Sequence, residues 1–429
     1  MIEEYLKQDT QFYHHGIIKV YLLFIPVVVV VSQEMASIMF KISTLDKPFF
    51  FEAAHPFIKG LGNINGDEFR YRKKLLGPAF RSNLVQERIS RQFKVLEEDM
   101  LQKSQDTFQF EDMLLATKRL SEALTLDSLG FTEYKEFKQE SVERMYSAYQ
   151  IESFTTKPWY LPWTFINLLP PTKDGLKTRK ADKFFGDFLT DLLTKTKIMM
   201  ENNSSQVSTS FMQLLLKEHD TNPKQMTMNE VLKESKFLYT VSGLGSLGLV
   251  SMWILHEVGH RQDVQERIIK ELQENVDIEH LENQDFSQLK YLKAVIREGL
   301  RKHATGPLAF RQASQEIKLE EKQMIIPKGS IIILDLNNIN MNPFDFKDPE
   351  VFNPDRFLEN KTQTTATFSG GHRSCPGINV AMASLQGILV RIFLKYRLKS
   401  LNPLSSIQEQ RNVLLYPLEK CEMQFILRK

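Results

Sequence analysis

Ten residues near the C-terminus, Phe368-Ser369-Gly370-Gly371-His372-Arg373-Ser374-Cys375-Pro376-Gly377, set one of the chain's two cysteines in a glycine-bounded loop, two residues after an arginine. A thiolate stays ionised where positive charge and backbone N–H donors surround it, and such a loop supplies both. Gly371 and Gly377 allow the backbone to approach a flat ligand where a side chain would collide with it. Pro376 lacks an N–H and suits the opening of a helix after the loop. The competing reading is a buried structural cysteine in a surface loop.

Three further clusters have chemical content. His256-Glu257-Val258-Gly259-His260 is a formal His-Glu-x-x-His, two imidazoles one helical turn apart, the pattern of a zinc hydrolase. Glu298-Gly299-Leu300-Arg301 puts opposite charges on one helical face. Gly243, Gly245 and Gly248 crowd into six residues of an apolar helical stretch, Phe237 to Val250. Each costs about 0.5–1 kcal/mol relative to alanine inside a helix, so three together predict a widened or kinked turn.

The cysteine segment matches, at all five fixed positions, the Phe-x-x-Gly-x-Arg-x-Cys-x-Gly signature of the cytochrome P450 family, and the chain resembles that family over nearly its whole length. The resemblance implies a haem b whose iron takes the Cys375 thiolate as axial ligand, with Phe368, Gly371, Arg373 and Gly377 around the cofactor. Electron donation from such a thiolate favours O–O cleavage. Asn353-Pro354-Asp355-Arg356-Phe357 resembles the family's Pro-x-Arg-Phe segment, which implies a buried Glu298–Arg301–Arg356 triad locking the cysteine loop, scaffold rather than chemistry. Gly66 to Lys74 resembles the helix whose tryptophan and arginine hold a haem propionate; here Phe69 and Lys73 stand in their places, a point charge replacing a planar fork. Arg311 matches another propionate contact, while Arg72 and Lys74 are open to two readings, part of this basic propionate helix or a solvated basic face. Aligned through Trp253 and Glu257–Gln265, the family's distal Gly-x-Asp/Glu-Thr becomes Gly243-Leu244-Gly245-Ser246. The proton-relaying acid is Gly245 and the threonine is Ser246, a hydroxyl without a neighbouring carboxylate. The glycine-rich turn then leaves room over the iron.

The elements that must position these residues are legible in outline. Gly16 to Gln33 alternates into a β-branched run, and Leu22 to Val31 is too short for a membrane span and contains Pro26. Apolar helical patterns dominate from about Phe69 to Arg301, the last of them over Tyr291 to Arg301. Ile317–Leu319 and Ser330–Leu334 are expected as strands flanking a turn at Pro327-Lys328-Gly329. Ile378 to Tyr396 is expected as a helix, and Val413–Tyr416 and Met423–Leu427 as short strands. The chain has 429 residues, 42% of them hydrophobic, enough to bury a large core. A net charge of +2 gives no reason to invoke nucleic acid. Two cysteines far apart argue against a disulfide framework and for a reducing compartment. The fold class expected is mainly α with a smaller β-rich part, a cytochrome P450-like fold with haem between a long central helix and the cysteine loop. Residues 1–429 are expected to form a single domain.

The resemblance implies a monooxygenase that inserts one oxygen atom of O2 into a lipophilic substrate, with NADPH electrons delivered by NADPH–cytochrome P450 reductase and cytochrome b5 as an accessory donor. The loss of the acid at Gly245 keeps a second class open, a haem-thiolate isomerase or dehydratase acting on lipid hydroperoxides without a reductase. A zinc hydrolase through His256 and His260 is a third. The family setting is the cytosolic face of the endoplasmic reticulum membrane. The chain begins almost at its first strand, without the apolar anchor of about 20 residues that a span needs, so either the sequence starts after such an anchor or the protein is soluble or peripheral. Pro158-Trp159-Tyr160-Leu161-Pro162-Trp163 falls where the family has a membrane-dipping loop; its tryptophans suit an interface, and a packed proline-rich loop is the other reading.

Overall fold

The structure is a computed structural model that describes residues 16–22, 24–54, 58–80, 85–101, 106–155, 172–202, 210–281, 284–359, 364–411 and 414–428. The Pro158–Trp163 loop lies outside the described residues. The chain opens with β1 (Ile17–Leu22), β2 (Ile25–Val30), α1 (Gln33–Lys41), β3 (Leu45–Asp46), α2 (Gly66–Leu76), α3 (Val85–Leu101) and β4 (Thr107–Phe110). Helices α4 (Met113–Leu129), α5 (Ser141–Thr155), α6 (Lys173–Glu201), α7 (Phe211–Thr221) and α8 (Met228–Phe237) follow. A π-helical stretch, Leu238–Gly245, joins α8 to α9 (Ser246–Gly259), and α10 (Gln262–Asn275) and α11 (Lys290–Lys302) come next. Then come β5 (Leu308–Ala313), β6 (Ile317–Leu319), β7 (Met324–Ile326), β8 (Ile331–Asp335), α12 (Leu336–Asn340) and α13 (Arg356–Glu359). The chain closes with α14 (Ile378–Lys395), β9 (Tyr396–Ser400), β10 (Glu409–Arg411), β11 (Leu415–Pro417) and β12 (Met423–Leu427). These elements gather into two compact units, each drawn from separated stretches of chain.

The first unit comprises Met1–Phe49, Lys293–Cys375 and Val413–Leu415. Its five-stranded sheet runs β1-β2-β8-β5-β3, with β2 and β8 parallel and the other pairs antiparallel. The β-branched run that marks β2 is buried on both faces from Val27 to Val30, the pattern of an interior strand. Val28 pairs with Ile332 and Val30 with Leu334, so both interior strands feed one core together with Met35 and Met39 of α1. Ser32 caps α1 by accepting the Met35 N–H. One expected pairing is different: Ile317–Leu319 does not flank the Pro327–Gly329 turn with β8 but forms a small hairpin with β7. Its turn, Glu320–Lys322, ends on Gln323 at φ 48°. Polar Gln323 and Glu320 gave no sign of a strand boundary, and β5, interrupted by Arg311 and Gln312, owes its state to pairing with β8 rather than to its own pattern.

The second unit, Phe50–Leu292, Pro376–Asn412 and Tyr416–Lys429, is mostly helical. Its longest apolar element is the continuous Met228–Gly259, whose α9 part is buried all round from Gly248 to Gly259. This element and α14 are long and apolar enough to cross a membrane, but 80% and 56% of their apolar windows are buried inside the protein, as in core helices. The sheet β4-β12-β9 packs Phe108 against Phe425, ring centroids 5.3 Å apart, with Tyr396 edge-on at 5.4 Å.

Candidate functional site

In the first unit Glu298 and Arg301 lie one turn apart on α11, both fully buried. The pair is bidentate, Arg301 Nε and Nη2 each 2.8 Å from a Glu298 carboxylate oxygen. Arg356 Nε donates to the same carboxylate at 3.2 Å. One acid cannot satisfy two guanidinium groups, and backbone carbonyls complete the set: Asn340 and Pro349 for Arg301, Lys347 and Val351 for Arg356. Every donor so paired is tied to the meander of chain that leads to the cysteine loop.

The loop itself is shaped by its backbone. Cys375 N–H donates to the Phe368 carbonyl at 2.9 Å, and Ser374 N–H to Gly371 at 3.1 Å. Ser369 and Gly371 both adopt left-handed backbone, φ 55° and 66°. A Cβ on Gly371 would stand 1.8 Å from the Phe40 carbonyl oxygen at the end of α1. The helix end behind the loop therefore requires a glycine here, in addition to any flat ligand on its other side. Gly377 has an ordinary φ of −88° at the N-cap of α14, so no left-handed geometry demands a glycine there.

Cations gather on this unit. Arg373 is buried, with Nη2 3.5 Å from the Asp46 carboxylate. Arg311, on β5, donates to the Phe310 carbonyl at 2.9 Å and to Ser369 Oγ, in the cysteine loop, at 3.0 Å. Asp46 pairs with Gln312 across β3 and β5, and continuing that register sets Lys47 opposite Arg311. Burial and the charges of Arg311 and Arg373 hold the Lys47 ammonium well below its usual range. Burial and Arg373 push Arg311 down to about 10. Lys47, Arg311 and Arg373 make a site whose electrostatics favour an anion, and a haem carrying two propionates fits it. Cys375 is exposed in this setting. Lys47 escaped the sequence reading because only sheet register brings it to Arg311.

The remaining expected residues belong to the second unit. Lys73 is half-buried on α2, its Nζ 5.6 Å from the centroid of the buried Phe69 ring. Lys74 is exposed, but Arg72 is not part of a solvated face: it is 1% exposed and paired with Glu234 and Glu68, both at 2.6 Å, and with Glu230. The widened turn expected from the glycines is the π-helical stretch, which ends on buried Gly245 immediately before the half-buried Ser246. Extra turn width of this kind is frequent at functional sites. Gly248 has a separate cause, since a Cβ there would stand 3.0 Å from the Lys118 Cα of α4. A buried network missed by sequence reasoning anchors the start of the π stretch: Tyr239 donates to Glu122 at 2.5 Å, and Arg144 donates to Glu122 at 2.6 Å.

The His-Glu-x-x-His helix carries no metal geometry. The His256 and His260 rings meet edge-on, centroids 4.9 Å apart; His256 Nδ1 lies 2.8 Å from Ser400 Oγ, and Glu257 is paired with Arg261 at 2.6 Å. Among the described residues no three His, Cys, Asp or Glu side chains gather to hold a metal ion. Cys421 is buried 3.6 Å from His256, its thiol pushed up to about 12 by burial and by Asp112 and Glu422. That is the environment of a neutral thiol, not of a thiolate ligand.

The cytochrome P450 family profile matches residues 1–425. Leukotriene-B4 omega-hydroxylase 3 of Mus musculus is 26% identical over 373 residues, 81% of this chain and 70% of the relative. Cytochrome P450 4F1 of Rattus norvegicus is 26% identical over 372 residues, with 81% and 70% covered. The ultra-long-chain fatty acid omega-hydroxylase of Homo sapiens is 25% identical over 360 residues, with 79% and 67% covered.

Proposed function

The chain belongs to the cytochrome P450 family and is an oxygen-incorporating oxidoreductase, and from this we propose a haem-thiolate monooxygenase with Cys375 as the iron ligand and a long-chain lipid as substrate. The lipid class rests on relatives named as leukotriene and fatty acid omega-hydroxylases. The observation that carries the ligand assignment is the gathering of Lys47, Arg311 and Arg373 on the unit that exposes Cys375, while Cys421 sits in surroundings that keep its thiol neutral. Bound haem supplies the redox iron at which O2 is activated. The chain's own part is to hold the thiolate and neutralise the propionates through Arg311, Arg373 and Lys47; the family resemblance adds Lys73 as a further cation and the Ser246 hydroxyl as the proton-passing group. Electrons come from NADPH through NADPH–cytochrome P450 reductase, an encounter we place at the cytosolic face of the endoplasmic reticulum.

The test is a reduced carbon monoxide difference spectrum of wild type, Cys375→Ser and Cys421→Ser. Cys375→Ser is expected to lose the thiolate-type band and all turnover, and Cys421→Ser to keep both. A thiolate-type band in Cys375→Ser rules out the assignment. The missing acid at Gly245 favours a second reading, rearrangement of a lipid hydroperoxide, which needs no proton relay. Fast reductase-free turnover of such a hydroperoxide, with negligible NADPH-dependent oxidation, selects that reading instead.

A further inference from the structure

We infer that Asn340 is a positioning residue: its side-chain amide ties the buried Glu298–Arg301 pair to the chain entering the cysteine loop. The inference rests on Cys375 being the iron ligand. Asn340 ends α12 and is fully buried. Its Oδ1 accepts the Ala366 N–H at 2.8 Å, and its Nδ2 donates to Thr367 Oγ1 at 2.9 Å. The Thr367 hydroxyl donates in turn to the Leu300 carbonyl of α11 at 2.8 Å. The Asn340 backbone carbonyl accepts from Arg301 Nη1 at 3.1 Å. One residue thus holds the ion pair through its main chain and the approach to the loop through its side chain.

The connection continues to the thiol. Ala366 carbonyl accepts the Ser369 N–H at 2.7 Å, and Phe368 carbonyl accepts the Cys375 N–H at 2.9 Å. From Arg301 to Cys375, then, each step is a hydrogen bond or a short stretch of chain. Capping does not account for Asn340, because the end of α12 is closed by the Met341 N–H on the carbonyls of residues 337–339, and Asn340 spends its amide elsewhere. An amide is suited to the place because it offers a neutral acceptor and donor side by side. Aspartate would lose the donor and bring a charge into a buried site. Leucine would leave the Ala366 N–H buried without its acceptor.

The test uses haem-loaded Asn340→Leu, Thr367→Val and their double variant, with two signals followed during urea denaturation: the ferrous carbon monoxide band and far-ultraviolet circular dichroism. We expect Asn340→Leu to pass from the thiolate-type to the thiol-type band about tenfold faster than wild type, in urea too dilute to reduce its helical signal. Thr367→Val should move the same way by less, and the double variant no further than Asn340→Leu, since both act through one amide. A band that converts only as the helices unfold, or additive effects, overturns the inference. Should Asn340→Leu not accumulate, Thr367→Val against Thr367→Ser decides: the serine variant regains the hydroxyl and should convert at the wild-type rate. Equal rates in those two variants also overturn it. Retention of the thiolate-type band in Cys375→Ser would instead bring down the ligand assignment beneath it.

Discussion

Gly371 is held by two independent constraints, a left-handed backbone at φ 66° and the Phe40 carbonyl 1.8 Å from where a Cβ would stand. The first alone costs a non-glycine residue about 1–3 kcal/mol, and the second cannot be relieved by a rotamer change because the obstacle is backbone. Gly371→Ala should therefore lower the thermal midpoint by many degrees and yield haem-poor protein. Gly77, right-handed with nothing within 4 Å of a Cβ, is the control; Gly77→Ala should be neutral or stabilising by about 0.4–1 kcal/mol. A Gly371→Ala variant that melts with wild type would show that the loop can rise away from α1. The sequence marked this glycine as special but could not name Phe40 as its neighbour, since nothing local to the loop announces the end of α1.

Among the elements, α11 depends on a single acid for two buried guanidinium groups. Glu298→Ala leaves Arg301 and Arg356 without their counter-ion, and breaking such a set costs about 3–5 kcal/mol. The expected result is low yield of haem-free, poorly folded protein rather than a stable inactive enzyme; a fully haem-loaded, stable Glu298→Ala would show the set to be dispensable. A second prediction concerns α8. Burial pushes the Glu230 carboxyl up, but the hydrogen bond and charge of Arg72, with Lys59 beside it, outweigh burial and leave it below its usual range. A carboxylate held low when folded adds stability that is present above its unfolded value of about 4.3 and is lost as the pH falls toward the folded value. Glu230→Gln should thus flatten the stability loss on acidification below about pH 5, followed by circular dichroism against urea at each pH. An unchanged slope would mean that Arg72 relies on Glu234 and Glu68 alone.

For the molecule as a catalyst, the consequential departure is Gly245-Ser246, where a hydroxyl stands without an acid beside it. Proton delivery through Ser246 alone should couple poorly, with much NADPH diverted to hydrogen peroxide. Gly245→Asp with Ser246→Thr should raise product formed per NADPH consumed. Unchanged coupling in that variant, alongside tight coupling in wild type, would show that protons arrive by another route.

The sequence by itself determined the features that short motifs and periodicity encode. The cysteine signature carried the family, α11 and α14 fell within a residue or two of their expected bounds, and β12 matched its expected span, Met423–Leu427. These succeed because a helix or a half-buried strand writes its own period into consecutive residues. Tertiary structure decided what depends on partners distant in sequence. Arg72 could not be told from a solvated residue until Glu230 and Glu234, more than 150 positions away, enclosed it. Lys47 joined Arg311 only through the register of β3 on β5. Asn340 looked like any polar residue near a turn, and only the fold brings Arg301, Ala366 and Thr367 around it. A buried charge or amide can be read only with its partners in place, because burial without them would be too costly to survive.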